Sequence, residues 1–170
     1  MKRLSLLFVT FGVLVAGCGS SSTAPTTPTN PTFVATLSPA NEVPAVSGAE
    51  AAGSGTATVT LVTTKDSAGN VTSATATFVV NLSGFPAGTP INAAHIHNAV
   101  AGVNGGVVVP SGITAGQNVL TNGSGSFTAS NLTVEGALAN QILANPAGFY
   151  FNVHSTLNPG GAARGQLVRQ

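Results

Sequence analysis

The chain has one Cys, no Trp, one Tyr and one Met, and only nine formal charges among 170 residues. Each scarcity closes off a class of protein. One Cys cannot build an internal disulfide framework, nor a multi-cysteine zinc or iron–sulfur site. Charged residues make up 5% of the chain, against roughly a quarter in an average soluble protein. There is no basic face for nucleic acid, because two of the five cations are Lys2 and Arg3 at the extreme N-terminus. Low charge also excludes the charge-driven kind of disorder. Few Leu, Glu and Lys residues argue against helix bundles and coiled coils. What is abundant is Ala, Val, Thr, Gly, Ser and Asn, with 21 Gly and 10 Pro. That is the composition of a single β-rich extracytoplasmic domain with small side chains.

The N-terminus reads as an address. Lys2 and Arg3 precede a 14-residue, mostly apolar stretch from Leu4 to Gly17. A spanning helix needs about 20 residues, so the stretch fits a signal peptide better than an anchor. Its end, Val15-Ala16-Gly17-Cys18, resembles a bacterial lipobox. That resemblance implies cleavage before Cys18, leaving residues 1–17 as signal peptide, with lipid on the Cys18 thiol and an acyl group on its new amine. The alternative is an ordinary secretory signal with an incidental Cys. Gly19 rather than Asp follows, which favours the outer membrane in a host with two. Removing residues 1–17 leaves three cations against four anions. Lipid would hold the domain at the cell envelope, each buried CH₂ contributing about 0.8 kcal/mol. Residues 18–31, rich in Ser, Thr and Pro, read as a tether.

Residues 32–170 read as one all-β domain, an antiparallel β-sandwich or partly closed barrel of about eight strands. The strand candidates are Thr32–Ser38, Gly55–Thr64, Val71–Leu82, Ile91–His97, Gly106–Val109, Gly123–Ala129, Gly148–His154 and Ala163–Val168. Thr56 to Leu61 alternates Thr with Ala, Val or Leu, the two-residue period of a half-buried strand. Asp66 to Asn70 reads as a hairpin loop, Gly69-Asn70 being able to take positive φ. Val134, Leu138, Ile142 and Leu143 follow helical spacing, predicting one short helix near residues 133–145. Thr133 or Asn131 would cap it, Glu135 would sit in its first turn, and Pro146 would end it.

The three His residues carry the chemistry. Two lie in Ala94-His95-Ile96-His97 and the third in Phe151-Asn152-Val153-His154. Residues i and i+2 of a strand share a face, about 6.5–7 Å apart. His95 and His97 can therefore converge on one ion, and His154 can join them if its strand is a neighbour. Three neutral imidazoles suit copper or zinc. The bland alternative is that each ring simply bonds a backbone carbonyl or an Asn. Glu42 and Glu135 are the carboxylates to consider as further ligands. Glu42, in Asn41-Glu42-Val43-Pro44, needs a partner if buried. Lys65, Arg164 and Arg169 are the body's cations, and a Glu42–Arg164 pair would join the two ends of the domain. No nucleophile elbow or Ser/His/Asp order is evident, so no catalytic residue is assigned. Gly102 to Gly106 reads as a turn rather than a phosphate loop.

Taken in order, these landmarks resemble the CHRD domain, first recognised in chordin and found also in bacterial secreted proteins. The matching pieces are Phe33 to Leu37, Asn41-Glu42-Val43-Pro44, Ala93 to His97, Asn104-Gly105, Phe149 to Ser155, and Pro159-Gly160-Gly161 with Arg164 to Leu167. Two positions depart from the family pattern: Ser155 replaces a frequent Thr, and Ala162 replaces a frequent Glu. The resemblance implies a compact β domain; Glu42, Asn152 and Arg164 are structural or surrounding residues on the reading of the residues themselves. It does not imply growth-factor antagonism, which in chordin belongs to other, cysteine-rich modules. The His-x-His strand is also similar to that of copper–zinc superoxide dismutase, but three His cannot supply two metals. The leading reading is a lipid-anchored, non-catalytic binding or structural module with an unknown protein or small-ligand partner. The alternative is a copper- or zinc-binding protein using His95, His97 and His154. A single-copper redox enzyme is a remote third.

Overall fold

A computed structural model describes residues 30–170. The proposed signal peptide, Cys18 and most of the tether lie outside the described residues. Ten strands and one α-helix follow in chain order: β1 (Thr32–Leu37), β2 (Ser54–Lys65), β3 (Val71–Ser83), β4 (Thr89–Asn98), β5 (Gly106–Pro110), β6 (Asn118–Leu120), β7 (Gly125–Glu135), α1 (Gly136–Ala144), β8 (Phe149–Ser155), β9 (Ala163–Gln166) and β10 (Val168–Arg169). They form two antiparallel five-stranded sheets. The first runs β10-β1-β2-β3-β7; the second runs β5-β4-β8-β9, with β6 also paired to β4.

The strands obey their alternation. In β2, Ala57, Val59 and Leu61 are buried while Thr56, Thr58 and Thr60 point away. In β8, Phe149, Phe151 and Val153 meet the core formed with Phe33, Phe78 and Val80. Phe78 of the first sheet and Phe151 of the second meet edge-to-face at 5.1 Å, the ring arrangement the aromatic quadrupole favours. The β2–β3 hairpin turns where expected. Asp66 accepts the Ala68 and Asn70 amides at 2.9 and 2.8 Å, and Gly69 takes φ +87°. Asn70 does not take positive φ; its side-chain amide also donates to Asp66, at 3.0 Å.

Of the two architectures expected, the sheets form the antiparallel sandwich, with no closed barrel. Two details are corrected. The very short β6 and β10 raise the strand count to ten, because three and two residues carry no readable period. The helix starts at Gly136, not near residue 133: Leu132 to Glu135 continue β7 against β3. Neither Thr133 nor Asn131 caps it, Asn131 having φ +59° within the strand. Glu135 is the residue before the first turn and makes no side-chain cap. The reason lies at Gly136, which is buried with the Thr72 carbonyl where a Cβ would stand. The chain leaves the sheet at the one residue small enough to pass that backbone.

In β4, Ile91 pairs with Ser155 and Ala93 with His154, so Asn92 is an extra residue. Such a bulge reverses the parity of everything beyond it. Ile91 is buried in the core, and after the bulge Ala94 and Ile96 are the core residues. His95 and His97, which would share the inward face of Ile91 in an unbroken strand, face outward instead.

Candidate metal centre

The outer face of the second sheet carries a set of polar and aromatic side chains. Register places His97 opposite Tyr150 and His95 opposite Asn152. On the other side of β8, Arg164 stands opposite Asn152 and Gln166 opposite Tyr150. The segment Ser38–Ser47 and the loop 99–105 lie over this face. Asn104 Nδ2 ties them together by donating to the Val43 carbonyl at 2.8 Å.

The three imidazoles converge. One nitrogen from each of His95, His97 and His154 lies within 4.8 Å of the other two. Backbone carbonyls settle two tautomers, because a carbonyl only accepts. His97 Nδ1 is 3.0 Å from the Gly105 oxygen, so it carries the proton and leaves Nε2 as a lone pair. His154 Nδ1 donates to the Pro159 oxygen at 2.9 Å, again leaving Nε2 bare. That Nε2 is 3.2 Å from His95 Nδ1, which donates to it. His97 is 7% exposed, and its Nε2 is buried without a hydrogen-bond partner.

Electrostatics keeps the rings neutral. Burial lowers the His95 pKa to about 4, assisted by the neighbouring His154 and His97. Burial also lowers His97 and His154, with the carbonyl bonds from Gly105 and Pro159 opposing it. Neutral imidazoles are the form that ligates metal. Nitrogens sharing a tetrahedral ion at about 2.0–2.1 Å stand about 3.4 Å apart. His95 and His154 already meet that spacing at 3.2 Å, and a side-chain adjustment brings His97 in from within 4.8 Å. The bland and metal readings of the sequence therefore meet at the same atoms: carbonyls hold the Nδ1 protons of His97 and His154, and each frees the opposite nitrogen. Such outer partners fix ring orientation in metal sites.

Behind the imidazoles lies a buried polar network. The Tyr150 ring stacks on His97 at 4.7 Å, nearly parallel, and carries the Arg164 guanidinium 4.6 Å from its centroid. Arg164, 2% exposed, donates to the Asn41 carbonyl at 2.6 Å and to Asn104 Oδ1 at 2.9 Å. The pairing with Glu42 read from the sequence is present, Nε to Oε2, at 3.7 Å. Asn152 adds its amide to both Glu42 oxygens at 3.1 and 3.3 Å. Burial raises the Glu42 pKa to about 7, with the Arg164 charge opposing it. Gly161, at φ +146°, packs on this carboxylate, 2.5 Å separating Glu42 Oε2 from where a Cβ would stand.

Glu135 is exposed at the end of β7 and does not join the histidines. The buried carboxylate that sequence reasoning missed is Glu50, bonded to Ser155 and Asn158 beside His154. The signal available was composition: with four acids in the chain, each one invites the question of what it pairs with. Tyr150, Gly105 and Pro159 were also not assigned roles, though all three stand inside the quoted motifs.

Two packed antiparallel sheets with a three-imidazole cluster on one outer face define a β-sandwich with a candidate metal centre. A family model described as the CHRD domain matches residues 33–167. The chain belongs to the CHRD domain family. Comparison with curated proteins found no match, nor did comparison with solved structures.

Proposed function

We propose that this CHRD domain binds a single copper or zinc ion through His95 Nδ1, His97 Nε2 and His154 Nε2. The observation that carries the reading is His97 Nε2: an unprotonated, buried nitrogen with no partner, on a ring that clusters with the imidazoles of His95 and His154. A buried acceptor left bare costs roughly 1–3 kcal/mol, and an ion would offset that cost. The donor set, all nitrogen and all neutral, suits copper and zinc, with copper the tighter in the Irving–Williams order. When bound, the ion supplies a fixed positive charge on the outer face; His95 then carries its proton on Nε2 instead of Nδ1. The role is binding at the cell envelope, the domain being held there by lipid on Cys18. The lipid anchor is part of the proposal and rests on the lipobox resemblance.

The test is a copper and zinc titration followed by thermal melting, beside a His95→Ala/His97→Ala double variant. Ligand binding to the native state alone adds about 2.7 kcal/mol of stability at a hundredfold excess over Kd. Wild type should gain stability and the variant should not. Equal behaviour of the two proteins would overturn the metal reading and return the domain to a purely structural or protein-binding module.

A further inference from the structure

Glu50 makes no hydrogen bond to a histidine, yet it is tied to one of them. It is 1% exposed, at the end of a short turn of 3-10 helix, Gly48–Glu50. Its Oε2 accepts the Ser155 hydroxyl at 2.6 Å and the Asn158 side-chain amide at 2.6 Å. Ser155 Oγ in turn accepts the Asn158 backbone amide at 2.9 Å. The Asn158 carbonyl accepts from Ser155 N at 3.3 Å and from Gly161 N at 3.1 Å. All of these bonds lie in the turn that follows His154. The next residue, Pro159, presents the carbonyl that accepts His154 Nδ1–H at 2.9 Å. One carboxylate thus grips both ends of the segment connecting His154 to the carbonyl that sets its tautomer.

We propose that Glu50 is a positioning residue for His154. It holds the Ser155–Asn158 turn closed, the turn holds the Pro159 oxygen on Nδ1, and the Nε2 lone pair is kept facing His95. Its effect on metal affinity rests on the metal reading above; its effect on the His154 tautomer does not. The clamp needs an acceptor rather than a charge, because both contacts to Glu50 are donors converging on one oxygen. A Gln carbonyl can accept both, and an Ala can accept neither.

The experiment measures two quantities on the same proteins: the His154 tautomer without metal, by nitrogen-15 NMR of the ring, and copper affinity. Wild type should show the Nδ1–H form. Glu50→Gln should keep that form, with affinity within about threefold of wild type. Glu50→Ala should mix the tautomers and weaken copper by about 10–100-fold, the usual effect of removing an outer-shell partner. If Glu50→Ala fails to fold, Asn158→Ala removes one donor and should still mix the tautomers. A folded Glu50→Ala or Asn158→Ala protein with the wild-type tautomer overturns the proposal, as does a Gln variant as damaged as the Ala variant. If the tautomer shifts as stated but wild type binds no copper, the positioning role stands and the metal reading falls.

Discussion

His95 Nδ1 and His154 Nε2 stand 3.2 Å apart on neighbouring strands, with 59 residues separating them in sequence. The spacing serves two arrangements. Without an ion it is a hydrogen bond from one ring to the other. With an ion it is the separation of two nitrogens on one centre, given bonds of about 2.0–2.1 Å. Little reorganisation separates the two, because Pro159 already holds the far side of His154.

The metal-free protein should lose stability in acid between about pH 6.5 and pH 4. His95 titrates at about 4 in the fold against an ordinary 6.5, and His97 and His154 are lowered too. Between those values the unfolded chain holds more protons than the folded one, so stability falls as pH falls. Glu42 has the opposite sign. Its pKa rises from 4.5 to about 7, so its contribution is present below 4.5 and lost as pH rises through 7. Glu42→Gln should therefore show the steeper acid loss. Urea midpoints at pH 7.5, 6 and 4.5 measure this; a Gln variant that is flat over that range contradicts the assignment.

Removing Arg164 should be expensive. An Arg164→Ala protein leaves Glu42 buried without its cation and frees Asn41 and Asn104 from their donor. Breaking a buried pair from one side costs about 3–5 kcal/mol. The double variant Glu42→Gln/Arg164→Ala should lose less than the two singles together, as contacting partners do. Denaturant unfolding of the four proteins gives the coupling, and additive losses would show that the pair does not act as one unit.

Gly136→Ala should destabilise the fold, against helix propensity. Ala is favoured over Gly in helices by about 1 kcal/mol. Here the added methyl meets the Thr72 carbonyl, which lies too close for a real Cβ contact. Overpacking of this kind costs about 1–3 kcal/mol. A melting temperature above wild type would show that α1 moves off β3 easily, contrary to the packing described.

Cys18→Ala should release the protein from membranes into the soluble extracytoplasmic fraction, with the precursor processed more slowly. Fractionation of the two proteins decides it. Unchanged membrane association would remove lipidation from the proposal.

The strands were legible where a two-residue period had room to repeat, as in Thr56 to Leu61. They were invisible in Asn118–Leu120 and Val168–Arg169, which have no room for one. The helix was legible as the apolar spacing of Leu138, Ile142 and Leu143, but its start was not, because Val134, read as its first apolar position, belongs to β7. That boundary is set by the Thr72 backbone, 64 residues earlier in the chain. For the site, the spacing of His95 and His97 gave a shared face, and the structure keeps it. The ion pair between Glu42 and Arg164 followed from the scarcity of charge. The carbonyls of Gly105 and Pro159 had no signature, because any residue brings a carbonyl and only the loop path decides where it points. Glu50 was hidden among small residues for the same reason: its partners, Ser155 and Asn158, lie over a hundred positions away.

Asn92 makes β4 behave like a message with a reading frame. Upstream of it odd-numbered residues face the core, as Ile91 does; downstream the even-numbered Ala94 and Ile96 take over. Exchanging one residue for another leaves that frame intact and alters one position. Deleting Asn92 shifts the frame, sending His95 and His97 toward the phenylalanines and Ala94 and Ile96 toward water. In this stretch of chain, length is therefore inherited information as much as chemistry is. A relative that carries the His-x-His letters but lacks the extra residue before them would spell the same motif on the wrong side of the sheet.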